Sequence, residues 1–265
     1  MAIDTKDVFC QAFNTVNTQG ITSFTDVLDT AYRISKSRDP SVTTAALANA
    51  TGAWYAWLLV IFFEEMCDRH NKQQIVLKLP NVQALPCVRL YSQELQNLLE
   101  DFKRKLMAVA QVNLVTSNPD FAIINKKHED SRIYMLSSLL SASHLDAFDN
   151  LYSKYEGTCN LGDLVAFLGA KTSLRPDRRI QLLHEGSLMK AIHTHLKTRN
   201  WDITATSLKY YGVSLHLTRA DIIGLRSVAT HSIVSASLIP ERAVDEMVKV
   251  SGTDEIEAFT QQYLS

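Results

Sequence analysis

The chain has 265 residues, 46% of them hydrophobic, enough to bury a sizeable core in one large domain or two small ones. A net charge of -1 excludes nucleic-acid binding through bulk charge, so any affinity for a polyanion has to come from a local patch. Cys10, Cys67, Cys87 and Cys159 are scattered, with no CxxC spacing and no secretory segment at the N-terminus. They predict a reduced, cytoplasmic protein whose thiols are small buried hydrophobes rather than metal ligands.

The first fifty residues read as helical, with a loop around SKSRDPS at 35–41. AWYAWLLVIFF at 53–63 is the longest apolar run. It falls short of the roughly 20 residues that a membrane span needs, and Glu64, Glu65 and Asp68 follow at once. It predicts a buried helix over 53–69. IVLKL at 75–79 alternates and is β-branched, hence a strand, and PNVQALP ends it. SQELQNLLEDFKRKLMAVA at 92–110 has helical spacing, and its FKRK reads as a solvated face rather than a DNA patch.

VNLVT at 112–116, the turn SNP and DFAII at 120–124 predict a hairpin-like pair, with two helices after it up to about Tyr155. LVAFLGAK at 164–171 predicts a strand ending at Lys171. A long helix is expected over 176–199, with Pro176 tolerated in its first turn. SLKYYGVSL at 207–215 reads as another strand, and helices near 240–250 and 253–263 close the chain. Strands among helices, without repeat or linker, predict one α/β domain over 1–265: a central mixed sheet flanked by helices, with a helical N-terminal portion over 1–50.

Two residues at strand ends could carry chemistry. Asp120 follows Asn118-Pro119 and opens a strand, while Lys171 ends another; they meet only if those strands pair. Acids with a lysine suit Mg²⁺-assisted phosphodiester hydrolysis, the carboxylates holding the cation and the lysine stabilising charge on the phosphate. That is the PD…(D/E)xK arrangement, but the residue two before Lys171 is Gly169, not an acid. Asp101-Phe102-Lys103 matches the pattern inside a helix and reads as a decoy, and Pro176-Asp177 has no strand behind it. Glu185 offers a remedy. It lies seven residues after Arg178, about 10.5 Å along the helix and on roughly one face with it, so the helix could supply the missing acid. His193 and His195, two apart on a helix, point in different directions and do not suit one metal.

Residues 171 to 179 hold four cations, Lys171, Arg175, Arg178 and Arg179, against the single acid Asp177, a net +3. Arginine donates bidentately to guanine and aspartate accepts from cytosine, so Arg175, Asp177 and Arg178 in a first helical turn could read G·C pairs in a major groove. An acid there would repel phosphate, so non-specific binding does not account for it. The competing reading is a salt bridge inside the loop, and spacing alone leaves the two open.

KTSLRPDRRIQLLHEGSLMKAIHTHLKTRNW, with VNLVTSNPDFAII and RAVDE, resembles the type II restriction endonucleases that cut CCGG-containing sites. That is the group including NgoMIV and SgrAI, and the likeness is best to members cutting RCCGGY. It runs from the GxWY helix near 52 to the RAVDE segment near 246, taken as helical. It implies a PD-(D/E)xK restriction-endonuclease-like fold, with Asp120 and Glu185 as metal-binding acids, Lys171 as catalytic lysine, and Arg175, Asp177 and Arg178 reading the CCGG core of double-stranded DNA. It further implies Mg²⁺ as cofactor, four-base 5′ overhangs, and a homodimer or homotetramer with Arg199 and Trp201 near the dimer–dimer interface. One position departs from the pattern. Where the family carries a further active-site glutamate this chain has Ala56, and Glu64 lies about 12 Å further along the helix. Either the chain carries an inactivating change or the natural protein manages without that acid.

Overall fold

A computed structural model describes residues 4–18, 20–114, 118–125, 139–202, 204–234 and 239–264. Five strands form one mixed sheet in chain order: β1 (Gln74–Lys78), β2 (Phe121–Asn125), β3 (Leu164–Lys171), β4 (Lys209–Ser214) and β5 (Glu246–Lys249). β1, β2 and β3 pair antiparallel, whereas β3, β4 and β5 run parallel. The step from β3 to β4 is a crossover through a long helix, as parallel neighbours require.

Side chains alternate across the sheet, and each face has its own apolar layer. Val76, Phe121, Ile123, Leu168, Tyr211 and Val213 face α1 (Thr5–Asn17), α2 (Phe24–Arg38), α3 (Thr44–Arg69) and α8 (Thr253–Tyr263). Leu77, Ile124, Phe167 and Tyr210 face the opposite layer, built from α4 (Gln93–Ala110) and α6 (Pro176–Arg199). The β2–β3 register shifts between Ile123 and Ile124. That bulge lets Leu164 face α6 while Ala166, two residues on, faces α3.

α3 starts nine residues earlier than the apolar run predicts, because the Thr43 side chain caps it by accepting from the Ala46 N–H at 3.2 Å. Among the described residues it is the one helix long and apolar enough to cross a membrane, yet 61% of its most apolar stretch is buried inside the fold. A helix apolar all round is the expected centre of a core. Its Trp57 indole donates to Asp149 of α5 (Ala142–Asn150) at 2.9 Å, and the same carboxylate holds Lys78 of β1 at 2.8 Å and Lys6 of α1 at 2.9 Å. Four elements meet at that one acid.

Three expectations are corrected. α2 continues to Arg38, so the predicted loop over 35–41 begins only at Asp39. Residues 112–114 form no strand, and 115–117 lie outside the described residues. Both edges of β2 are occupied by β1 and β3, so no edge is open for the predicted hairpin partner. RAVDE is not helical: the segment predicted as a helix over 240–250 contains β5, whose Met247 and Val248 complete a ladder on the open edge of β4. Of the two helices predicted before Tyr155, α5 and a 3-10 turn at Leu151–Tyr155 are present, and 126–138 lie outside the described residues.

Candidate active site and DNA-reading surface

Strand pairing brings Asp120 and Lys171 together. Asp120 immediately precedes β2, and its Oδ2 accepts from the Ala170 N–H at 2.7 Å and from Lys171 Nζ at 3.0 Å. The antiparallel register of Phe121 against Leu168 makes this meeting possible, and periodicity could not have supplied it. Asn118 anchors the approach. Its Oδ1 accepts from the Cys87 N–H at 2.8 Å and its Nδ2 donates to the Pro80 carbonyl at 2.9 Å. The Asn of the SNPD turn therefore ties the loop after β1 to the start of β2, a role the sequence reading missed.

Gly169 and Lys171, two apart on β3, project to the α6 face. Glu185 comes from that helix and is 1% exposed. Its Oε2 accepts from the Tyr210 hydroxyl at 2.8 Å and its Oε1 from Gln181 Nε2 at 2.9 Å. Burial pushes the Tyr210 hydroxyl well above its usual pKa, and the nearby Glu185 and Asp120 carboxylates add to that. Both acids thus bear on one hydroxyl. Burial, assisted by Glu185, also raises the Cys87 thiol to about 12, which keeps it protonated and unreactive. Cys10, Cys67 and Cys159 are likewise buried, and none is joined in a disulfide.

Among the described residues no group of three or more His, Cys, Asp or Glu side chains converges as a metal site. Two carboxylates, Asp120 and Glu185, are the candidates for holding a divalent metal ion, since such an ion can take one or two carboxylates and complete its shell with water and phosphate oxygens. Ala56 lies on α3, packed against the core layer on that side of the sheet. His193 is already engaged: it donates through Nε2 to the Thr206 carbonyl at 3.2 Å, which makes Nδ1 the acceptor of the Tyr91 hydroxyl at 3.0 Å. His195 instead lies against the Phe102 ring at 4.1 Å.

Pro176 is the first residue of α6, so RPDRR forms the helix start, beyond the C-terminal end of β3. In open α/β sheets that end of parallel strands is where ligands bind. Arg175 and Asp177 pair at 3.4 Å, with side chains 67% and 65% exposed. The loop salt bridge therefore exists, but at this exposure it is worth about 0–1 kcal/mol and leaves both groups free to exchange partners. Arg179 pairs with Asp221 of α7 (Arg219–Gly224) at 3.4 Å, bracing the loop after β4 against the start of α6.

At the far end of α6, Arg199 pairs with Asp101 at 3.5 Å, and Asp101 also holds Lys105 at 2.7 Å. The DFK decoy is therefore an ordinary surface ion-pair cluster. Trp201 follows the helix with φ of 53° and is 86% exposed.

The sheet order and its helical layers define a restriction-endonuclease-like α/β fold. The Cfr10I/Bse634I restriction endonuclease family model matches residues 7–265, and the chain belongs to that family. The type II restriction enzyme Cfr10I of Citrobacter freundii is 37% identical over 229 residues, 84% of this chain and 80% of that protein. The solved structure of Bse634I restriction endonuclease superimposes with a TM-score of 0.82 at 32% identity, covering 92% of this chain and 86% of that one. Bse634I crystallised with cognate DNA gives 0.83 at 31% identity, covering 92% and 87%. The family match also takes in most of the first fifty residues, where no motif carried the resemblance.

Proposed function

We propose that this protein hydrolyses double-stranded DNA at a CCGG-containing palindrome, RCCGGY, cutting before the first C to leave four-base 5′ overhangs. The observation that carries this reading is the Asp120–Lys171 pair at 3.0 Å, with buried Glu185 presented from α6 on the same face. Asp120 and Glu185 would hold Mg²⁺, which when bound supplies a Lewis acid for the phosphate and an activated water. Lys171, oriented by Asp120, places its ammonium where negative charge grows on the phosphate. Arg175, Asp177 and Arg178 present donors and an acceptor to the core base pairs from the start of α6. The whole chain acts as one endonuclease domain in the cytoplasm, in the wider group that includes NgoMIV and SgrAI.

A palindromic site calls for a twofold assembly. Trp201 supports a homotetramer built from such dimers. A bulky residue with positive φ is strained by about 1–3 kcal/mol, and here it holds its indole out in solvent beside Arg199. A second reading, sequence-specific binding with impaired cleavage, is favoured by one observation: Ala56 leaves only two carboxylates for the metal. The test uses Mg²⁺ and two duplexes, one with RCCGGY and one with the central CG changed to GC. Cleavage of the first alone is expected. Binding without cleavage selects the second reading, and equal treatment of both duplexes defeats both.

A further inference from the structure

Gly169 stands where the PD…(D/E)xK pattern puts an acid, and the space beside it is filled. A Cβ at this position would lie 2.4 Å from Leu182 Cδ2 and 2.6 Å from the Tyr210 hydroxyl oxygen. Tyr210 comes from the neighbouring parallel strand, where it is in register with Phe167. Its hydroxyl and the end of Leu182 thus together occupy the slot that a side chain on β3 would otherwise enter.

That hydroxyl is also committed. It donates to Glu185 Oε2 at 2.8 Å, while Gln181 holds Oε1, so the carboxylate is gripped at both oxygens. Tyr210 is wholly buried. The carboxylate has no proton to give, so in this pair the phenol is the donor. The tyrosine backbone is fixed as well: its N–H donates to Asp245 Oδ2 at 2.8 Å, its carbonyl accepts from the Asp245 N–H at 2.8 Å, and buried Lys190 holds the same carboxylate at 2.7 Å. On the helix side, Gly186 has no Cβ and lies directly against the Ala243 carbonyl, which seats α6 close to this corner.

We propose that Tyr210 is a positioning residue of the active site: its hydroxyl takes the place of the strand acid missing at Gly169 and aims Glu185, supplied from α6, at the metal position beside Asp120. The proposal rests on the reading of Glu185 as a metal ligand. It explains why an acid on the helix can stand in for one on the strand. The carboxylate comes from α6 and is held by a donor from β4 whose hydroxyl packs against Gly169. Groups that orient metal ligands typically change metal affinity by about 10–100-fold when removed.

The test uses the full chain and its Tyr210→Phe, Gly169→Ala and Glu185→Gln variants. Three quantities are measured: calorimetric binding of Ca²⁺ to the protein–DNA complex, the Mg²⁺ concentration giving half-maximal single-turnover cleavage, and metal-free affinity for the cognate duplex. Tyr210→Phe is expected to weaken Ca²⁺ binding and raise the Mg²⁺ midpoint by about 10–100-fold, with DNA affinity within about twofold of the parent. Gly169→Ala leaves the phenol in the protein but presses on its hydroxyl and on Leu182 at once. It is expected to act in the same direction, and it decides the matter if Tyr210→Phe does not fold. Parental metal affinity in both variants, while Glu185→Gln loses it, overturns the role of Tyr210 alone. Equal losses of metal and DNA affinity would reduce Tyr210 to a packing residue, which also overturns it. Parental metal affinity in Glu185→Gln overturns the reading of Glu185 itself.

Discussion

Asp177→Ala separates stability from recognition at the reading turn. As a structural group, Asp177 contributes an ion pair with Arg175 at 3.4 Å, both side chains about two-thirds exposed, worth about 0–1 kcal/mol. Its place in the first turn of α6 adds a favourable interaction with the helix dipole of about 0.3–1 kcal/mol. The melting temperature should therefore fall by about 1–8 °C. As a base reader, one aspartate per half-site is worth about 1–3 kcal/mol, or about 2–6 kcal/mol over a twofold site. Preference for RCCGGY over the duplex with its central CG inverted should then drop by between about 30-fold and 10⁴-fold. Thermal melting and competition binding with both duplexes in Ca²⁺, at one fixed salt concentration, measure the two effects separately. A melting temperature lowered by more than about 8 °C with the preference intact would refute the reasoning and leave the ion pair as the residue's whole purpose.

Three further outcomes are expected. Ala56→Glu should raise the cleavage rate at fixed Mg²⁺ without changing affinity for the cognate duplex, because it restores an acid to the metal position; an unchanged single-turnover rate would show that this position carries no catalytic weight here. Trp201→Gly should stabilise the folded subunit by about 1 kcal/mol, since glycine accepts the positive φ without strain, while shifting tetramers to dimers in sedimentation; a tetramer that survives the change would remove Trp201 from the interface. His193, whose pKa is pushed below 6.5 by burial, binds its proton more readily in the unfolded chain. Stability should therefore decline as pH drops below 6.5, and His193→Gln should flatten that decline in urea melts at pH 5 and 7; parallel declines in both proteins would argue against it.

What was legible in the sequence was local. Short apolar segments, alternating in IVLKL, marked IVLKL, DFAII, LVAFLGAK and SLKYYGVSL as strands, and each contributes one. Pro176 marked the start of α6 to the residue. The charge signature of RPDRR and the spacing to Glu185 needed only helix geometry. The failures were local propensities overruled by neighbours. VNLVT has the composition of a strand, but β1 and β3 already flank β2, while RAVDEMVKV could read as helical until the free edge of β4 drew EMVK into the sheet.

The site itself is tertiary. Asp120 and Lys171 lie fifty-one residues apart in the chain, and only antiparallel registration of β2 on β3 brings oxygen and ammonium to 3.0 Å. Arg179 counted only as one of four cations in residues 171–179, and its ion pair with Asp221 comes from a segment forty-two residues further on. Tyr210 had no signal at all. Its place beside Gly169 and Glu185 follows from a parallel register and a close helix crossing, and neither leaves a trace in spacing along one chain. Sequence determines which side chains are available and which face of an element they occupy. The fold decides which faces meet, because that choice is made by burying whole layers and not by any single residue.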